Sequence, residues 1–192
     1  MLNEFNLLVS SARGNEREAG AELRYLLREL GENELALGRT PVSGLLVAKT
    51  AMDPLLVIEK LRPVLSKNPW KFRYILKIKP IMRVVPCDVG LVCETIAGLA
   101  WMVKSDETFR LTVQKRHNKL DSKQLIDEAA KRVPRKVDLR NPSKTIMVEI
   151  VADIVGVSVL ETDDVLAVEL EKKKGPANAG LKAEPNVPIP NV

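Results

Sequence analysis

Residues 109–116 read FRLTVQKR, and the sequence continues as HNK at positions 117–119. Between Phe109 and Gln114 apolar side chains alternate with polar ones, which predicts a strand with one buried face and one polar face. The strand should end in the densest group of polar side chains, at 114–119. Arginine can fork onto a phosphate and asparagine can read a base edge or a ribose hydroxyl, so this junction predicts contact with a nucleic acid.

A helix and further strands should follow this junction. Asp121 and Gln124 have the spacing of a capping box, and Pro134 should end the helix that they begin. A second basic loop, residues 135–144, separates that helix from the next strand. Apolar runs rich in β-branched residues predict strands at Thr145 to Val151 and Ile154 to Leu160, with a weaker one at Val165 to Leu170.

The segment upstream of residue 109 should contain a covered helix. Asp88 can cap it, and so few charges follow before Val103 that most of its circumference should be buried. Trp101 is placed in this helix and is expected to be structural. Cys87 and Cys93 lie around the start of the helix and are the only cysteines, so we expect two reduced, core-side thiols rather than a metal site.

The first 82 residues predict six alternating elements. Asn15 and Glu18 are spaced as a capping box for the first helix, and Asp53-Pro54 should open the second, which Pro63 could shorten or kink. The order strand, helix, strand, strand, helix, strand is that of the ferredoxin-like, split βαβ arrangement. The predicted strands are Phe5 to Ser10, Leu35 to Thr40, Gly44 to Thr50 and Phe72 to Met82.

Positive charge is concentrated in the middle of the chain. The formal net charge is +5, with six Lys+Arg and no acid in residues 67–83, and eleven Lys+Arg against four acids in residues 108–146. Concentrated cations favour nucleic acid, because each neutralised phosphate releases condensed counterions. The alternative for each basic segment is a solvated surface. Trp70, Phe72 and Tyr74 could stack on bases, but the predicted strand needs two of them in the core.

Composition predicts a folded protein: 45% of the 192 residues are hydrophobic and 29% are charged. We expect a cytoplasmic protein with no membrane partner, since no signal peptide or membrane-spanning stretch is visible. No phosphate loop, GxGxxG, HExxH, GxSxG or paired CxxC motif occurs. His117, the single histidine, has no evident catalytic partner. We therefore predict a non-enzymatic protein without cofactor or metal, although an enzyme stays open as an alternative.

The second half of the chain resembles the THUMP domain of RNA-modification proteins. Within that group it is similar to the stand-alone proteins that assist tRNA cytidine acetylation. The resemblance covers about residues 75 to 170, and KVDL at 136–139 with Asn141-Pro142 is its most specific part. The matching segments are RVVP at 83–86, FRLTVQKR at 109–116 with Asn118, KVDL at 136–139 with Asn141-Pro142, the strand at 145–150 and GVSV at 156–159.

This resemblance implies tRNA recognition, through the acceptor-stem end, by a chain that presents tRNA to a separate enzyme such as an RNA cytidine acetyltransferase. The alternatives are a tRNA-binding subunit for thiolation or methylation, or a protein scaffold without RNA affinity. The fold class expected is α+β, with a ferredoxin-like domain at 1–80, a THUMP domain at 81–170 and a disordered tail at 171–192. The predicted RNA-binding residues are Lys79, Arg83, Lys115, Arg116, His117, Asn118, Lys119, Arg135, Lys136, Arg140, Asn141 and Lys144.

Overall fold

The computed structural model describes residues 2–174, which form a mixed α/β fold with two five-stranded sheets and five α-helices. The strands are β1 Leu7–Ser11, β2 Ala36–Arg39, β3 Leu45–Lys49, β4 Ile75–Pro80, β5 Arg83–Pro86, β6 Thr108–Arg116, β7 Lys136–Val137, β8 Lys144–Val151, β9 Ile154–Leu160 and β10 Leu166–Ala167. The helices are α1 Glu16–Glu29, α2 Pro54–Lys67, α3 Val89–Leu99, α4 Ser122–Ala130 and α5 Val168–Lys174.

The first sheet has the strand order β10-β4-β1-β3-β2, with antiparallel neighbours throughout. The predicted succession of strand, helix, strand, strand, helix, strand is confirmed over residues 7–80. The predicted strand at 72–82 is shorter, because only Ile75–Pro80 belongs to this sheet. The apolar stripe of α1 packs with α2 on one face of the sheet and is buried at Ala19, Leu23, Leu26 and Leu27.

The two predicted caps of this unit have different outcomes. Asp53 caps α2 as expected and accepts hydrogen bonds from the backbone N–H groups of the next two non-proline residues at 2.8 and 3.2 Å. The capping box at Asn15 and Glu18 is wrong, since the Asn15 side chain makes no cap bond. The Glu16 carboxylate instead accepts from the N–H groups of Gly14 and Gly44, which lie outside α1. Pro63 does not end α2, which runs on to Lys67.

The second sheet has the order β5-β9-β8-β6-β7, and α3 and α4 pack on one face of it. Asp88 caps α3, and Asp121 caps α4 through the N–H groups of Lys123 and Gln124. The predicted capping box at α4 does not form, because the Gln124 amide donates to Glu128 instead. The helix ends at Ala130, four residues before the proline that was expected to stop it.

The two sheets face each other across a shared apolar layer. Leu8 and Val47 of the first sheet are buried there with Met147 and Val151 of the second. Ile81, between β4 and β5, lies against Gly156, where an added Cβ would come within 3.0 Å of its side chain. The order of layers is therefore helices, sheet, sheet, helices, and residues of β4 face residues of β6 and β8.

The C-terminal part of the described chain returns to the first sheet. The weak strand predicted at 165–170 is wrong beyond two residues: Leu166–Ala167 pairs with β4, and the chain is helical from Val168. Leu166 and Val168 are fully buried in the first core, and Arg62 binds Glu171 at 3.0 Å. The predicted tail is thus helical at 171–174, and its remainder lies outside the described residues. No helix within residues 2–174 is both long and apolar enough to cross a bilayer.

Candidate nucleic-acid interface

The structure places the two predicted basic loops at opposite ends of β6. Strand β6 pairs in parallel with β8, and the register sets Phe109 beside Lys144 and Arg116 beside Val151. Seven residues of strand separate these points, which is roughly 23 Å at about 3.3 Å per residue. The two loops therefore lie at opposite ends of β6 and do not adjoin each other.

The first loop, residues 115–119, presents side chains to solvent from the carboxyl end of β6. Lys115, His117 and Lys119 are exposed. His117 has φ 54, a left-handed conformation that turns the chain sharply after the strand. Lys115 donates to the carbonyl of Leu120 at 2.7 Å and keeps two further donors. This loop can offer several cationic donors to a phosphate backbone.

Asn118 has a structural role that the sequence did not indicate. Its side-chain amide donates to the carbonyl of Ala152 at 2.7 Å and lies 3.4 Å from the Sγ atom of Cys87. Its Oδ1 atom accepts the N–H of Leu120 at 2.7 Å. Because these bonds engage both ends of the amide, Asn118 fixes the loop against the β8–β9 turn.

The second loop, residues 135–144, is also partly committed to the fold. Arg135 is half-buried, and its Nε atom donates to the carbonyls of Val103 and Lys104 at 2.9 and 3.0 Å. Lys144 forms an ion pair with Glu161 at 2.5 Å. Three other predicted side chains of this loop, those of Lys136, Arg140 and Asn141, are exposed.

A carboxylate orders the tip of the second loop. Asp138 accepts the backbone N–H groups of Asn141 and Arg140, each at 2.9 Å. These two hydrogen bonds hold the pKa of Asp138 below its ordinary value. The resulting turn fixes the backbone of KVDL and of the Asn-Pro element that follows it.

Lys79 and Arg116 meet at a buried carboxylate between the two sheets. Glu149 of β8 has a side chain that is 1% exposed, and its two oxygens contact Lys79 and Arg116. Lys79 also donates to Gln114 at 3.0 Å. Burial lowers the pKa of Lys79 and outweighs the opposite effect of Glu149, while Arg116 and Lys77 lower it further.

The structure buries Lys79, which was predicted to bind RNA. Its face of β4 is covered by the second sheet, and the residue is 6% exposed. Arg116 is only partly covered, with 28% of its side chain exposed. Arg83 is exposed on β5, at the opposite edge of the second sheet from β6 and β7. The structure thus joins Lys79 and Arg116 and leaves Arg83 apart.

Two cations that were not among the predicted site residues lie on the facing surfaces of β4 and β6. Lys77 is half-buried, two residues from Lys79 on β4. Arg110 shares the polar face of β6 with Gln114 and Arg116, and its buried Nε atom has no hydrogen-bond partner within residues 2–174. The signal for both was the alternation of each strand, which sets every second side chain on one face.

The exposed aromatic side chains also differ from expectation. Trp101 is 75% exposed, because α3 ends at Leu99 and Trp101 lies in the 3₁₀ turn that follows. Its assignment to a buried helix was wrong. Trp70 is 68% exposed, whereas Phe72 is buried. Both tryptophans are available to a ligand or a partner.

The described residues contain no metal-binding cluster, and their two cysteines are free thiols. Within residues 2–174, no three His, Cys, Asp or Glu side chains are grouped in a way that could hold a metal ion. Cys87 and Cys93 are not disulfide-bonded, as predicted, and burial raises the pKa of each thiol.

Comparison with protein families identifies a THUMP domain at residues 92–160. The segment that matches the THUMP domain contains most of α3 together with β6, α4, β7, β8 and β9. The match begins inside α3 and ends with β9, so it includes the whole 115–119 loop and the whole 135–144 loop. No curated protein matches the chain.

Several solved structures have a similar fold. PH1313 from Pyrococcus horikoshii matches 82% of this chain with a TM-score of 0.60 and 18% identity. TrmN from Thermus thermophilus matches 80% with a TM-score of 0.52 and 12% identity, and a 4-thiouridine synthetase in complex with RNA and ATP matches 82% with 0.53 and 16%. The chain covers 55%, 44% and 42% of these proteins, so it spans about half of their length.

Proposed function

We propose that this chain is a non-catalytic adaptor that binds tRNA and presents it to a separate RNA cytidine acetyltransferase. The THUMP domain at residues 92–160 carries the proposal, because it indicates RNA binding in tRNA modification. One of the proteins of similar fold, a 4-thiouridine synthetase, was solved with RNA bound. The exposed cations of the 115–119 loop supply the charge that such binding requires.

The arrangement of the chain supports a division into two units. The first sheet has the order β4-β1-β3-β2 with two helices on one face, which agrees with a ferredoxin-like domain near residues 1–80. The THUMP unit follows from residue 81. The apolar layer between the sheets should hold the units in one orientation, so that both contribute to one RNA surface in a cytoplasmic protein.

The exposed polar and cationic side chains support the RNA-binding part of the adaptor role. Seven of the predicted site residues have exposed side chains suited to phosphate contact: Arg83, Lys115, His117, Lys119, Lys136, Arg140 and Asn141. We expect the acceptor-stem end of tRNA to be the part that these side chains contact. Thiolation is the alternative reaction to serve, favoured by the fold shared with the thiouridine synthetase.

Binding of three RNAs across a range of salt concentrations tests the RNA half of this proposal. Full-length tRNA should bind more tightly than an isolated acceptor-stem hairpin, and the hairpin more tightly than an unrelated duplex. The logarithm of affinity should fall linearly with the logarithm of salt concentration, since phosphate contacts release counterions. Equal affinity for all three RNAs, or none at physiological salt, contradicts tRNA recognition.

Turnover by the chain alone tests the adaptor half. The protein is incubated with tRNA in separate mixtures that contain ATP, S-adenosylmethionine or acetyl-CoA. The nucleosides of the tRNA are then examined by mass spectrometry. We expect no modified nucleoside from any mixture. A modified nucleoside formed without a second protein shows that the chain is itself an enzyme.

A further inference from the structure

The polar faces of β4 and β6 look at each other across the gap between the two sheets. The hydrogen bond from Lys79 to Gln114, at 3.0 Å, joins these faces directly. Side chains two residues apart along a strand share a face, so Lys77 lies on the same face as Lys79, and Arg110 on the same face as Gln114. Beyond the two-residue β7, β6 has no further neighbour on that side within residues 2–174, and Lys77 and Arg110 are each partly exposed.

Within residues 2–174, more positively than negatively charged side chains face this gap. Within residues 2–174, four cations occupy the two facing surfaces, and the carboxylate that binds two of them is Glu149. Lys77 and Arg110 form no ion pair or hydrogen bond among the described side chains. The four cations are Lys77 and Lys79 of β4 and Arg110 and Arg116 of β6.

Arg110 is the member of this group with an unmet bonding requirement. Its Nε–H is buried and donates to no described atom. Buried donors are paired in most proteins, so an unpaired one requires an explanation. A phosphate meets this requirement when the guanidinium turns towards solvent, because Nε and a terminal nitrogen can then donate in parallel to two phosphate oxygens.

We propose that the edge of the β4–β6 gap is a phosphate subsite, in which Arg110 and Lys77 bind a phosphodiester of the RNA backbone. Glu149 binds Lys79 and Arg116, so that Lys77 and Arg110 are the two cations left to bind the ligand. The subsite rests on the proposed function and extends it, because it makes the junction of the two units part of the RNA surface.

Neutral substitutions test the subsite. Lys77→Gln, Arg110→Gln and the double variant are compared with Lys60→Gln, which removes an exposed charge from α2 on the outer face of the first sheet. The double variant should lower the salt slope of tRNA binding by about 0.9, the value for one phosphate, and Lys60→Gln should leave it unchanged. If wild type and the double variant bind tRNA equally near 1 M salt, the double variant should bind roughly fivefold more weakly than wild type at about 0.15 M salt.

Two further arms separate the alternatives. Urea unfolding of each variant shows whether it folds, and Lys77→Gln alone decides the question if Arg110→Gln does not fold. Arg110→Lys keeps the charge and loses the forked geometry, so it should retain the salt slope while binding more weakly. Folded variants whose slopes equal that of Lys60→Gln overturn the subsite.

The same titrations distinguish the subsite from the proposed function. If wild-type protein fails to bind tRNA, the proposed function falls and the subsite falls with it. If wild-type protein binds tRNA and the folded double variant binds it equally well, the subsite alone is overturned. Inorganic phosphate is titrated separately by thermal shift. A shift in wild type that the double variant lacks, with tRNA slopes unchanged, overturns the RNA assignment in favour of a free anion.

Discussion

Replacing Glu149 by glutamine should strongly destabilise the protein. One carboxylate oxygen contacts Lys79 and the other contacts Arg116 at 2.6 Å, inside a site where the Glu149 side chain is 1% exposed and the Lys79 side chain 7%. Glutamine keeps the size of the side chain, but its NH₂ group must face one of the two cations and cannot accept a hydrogen bond. Lys79 or Arg116 then loses its compensating charge.

The expected loss follows from how completely each cation is buried. Removing one partner of a buried pair costs about 3–5 kcal/mol of unfolding free energy. We expect a value near the lower limit, about 3 kcal/mol, because Arg116 is 28% exposed and can turn towards water. Urea unfolding at pH 7 measures it. Adding Lys79→Met to Glu149→Gln should restore part of the loss, since no buried lysine is then left unpaired.

The exposed pair of Glu29 and Lys71 supplies the control. Its side chains are 37% and 25% exposed, so Glu29→Gln should change stability far less than Glu149→Gln. A Glu149→Gln protein that unfolds at the wild-type urea concentration refutes the reasoning. So does a double variant that is less stable than Glu149→Gln alone.

The same substitution has a predicted pH dependence. Burial lowers the pKa of Lys79, so between that pKa and the ordinary value of the unfolded chain the unfolded state binds more protons. Stability therefore rises with pH across this window. Glu149 raises the pKa of folded Lys79, so its loss extends the window to lower pH. The difference in unfolding free energy between wild type and Glu149→Gln should decrease as pH rises towards about 10.

Three further predictions concern other parts of the molecule. Lys119→Ala should lower the salt slope of tRNA binding by about 0.9 in filter-binding titrations, whereas Arg28→Ala, on α1, should leave it unchanged. Leu166→Ala should cost about 2–5 kcal/mol in urea unfolding, because this fully buried side chain holds β10 on the first sheet. The hydrogen bond from the Thr50 hydroxyl lowers the pKa of Glu32. The ionised carboxylate therefore stabilises the fold above its unfolded-state pKa, and this stabilisation is lost as pH falls through its folded-state pKa. The unfolding free energy of Glu32→Gln should accordingly depend less on pH than that of wild type below about pH 5.

The order of elements was predictable because it depends on local patterns. Alternation identified β6, and the caps at Asp53, Asp88 and Asp121 formed where their spacing indicated. Asn15 makes no cap bond, and the neighbouring Glu16 binds Gly44, a partner 28 residues away that local sequence does not indicate. The return of Leu166 to the first sheet was likewise decided by a distant surface.

The residue-level site was less predictable for the same reason. Positive charge near a loop indicated Lys79 and Arg135 as RNA ligands, but each is engaged by atoms that local sequence does not reveal. Lys79 meets Glu149, 70 residues away, and Arg135 meets carbonyls 31 and 32 residues away. Lys77 and Arg110 follow the alternation of their strands, but it takes the packing of the two sheets to show that they face the same gap.

Reconstitution of the modification reaction tests the central claim most directly. Purified RNA cytidine acetyltransferase, acetyl-CoA, ATP and unmodified tRNA are combined with and without this protein, and acetylcytidine is measured by mass spectrometry. The adaptor account predicts little acetylcytidine in tRNA from the enzyme alone, none from this chain alone, and a large increase when both are present. Equal acetylation with and without this chain would contradict the account.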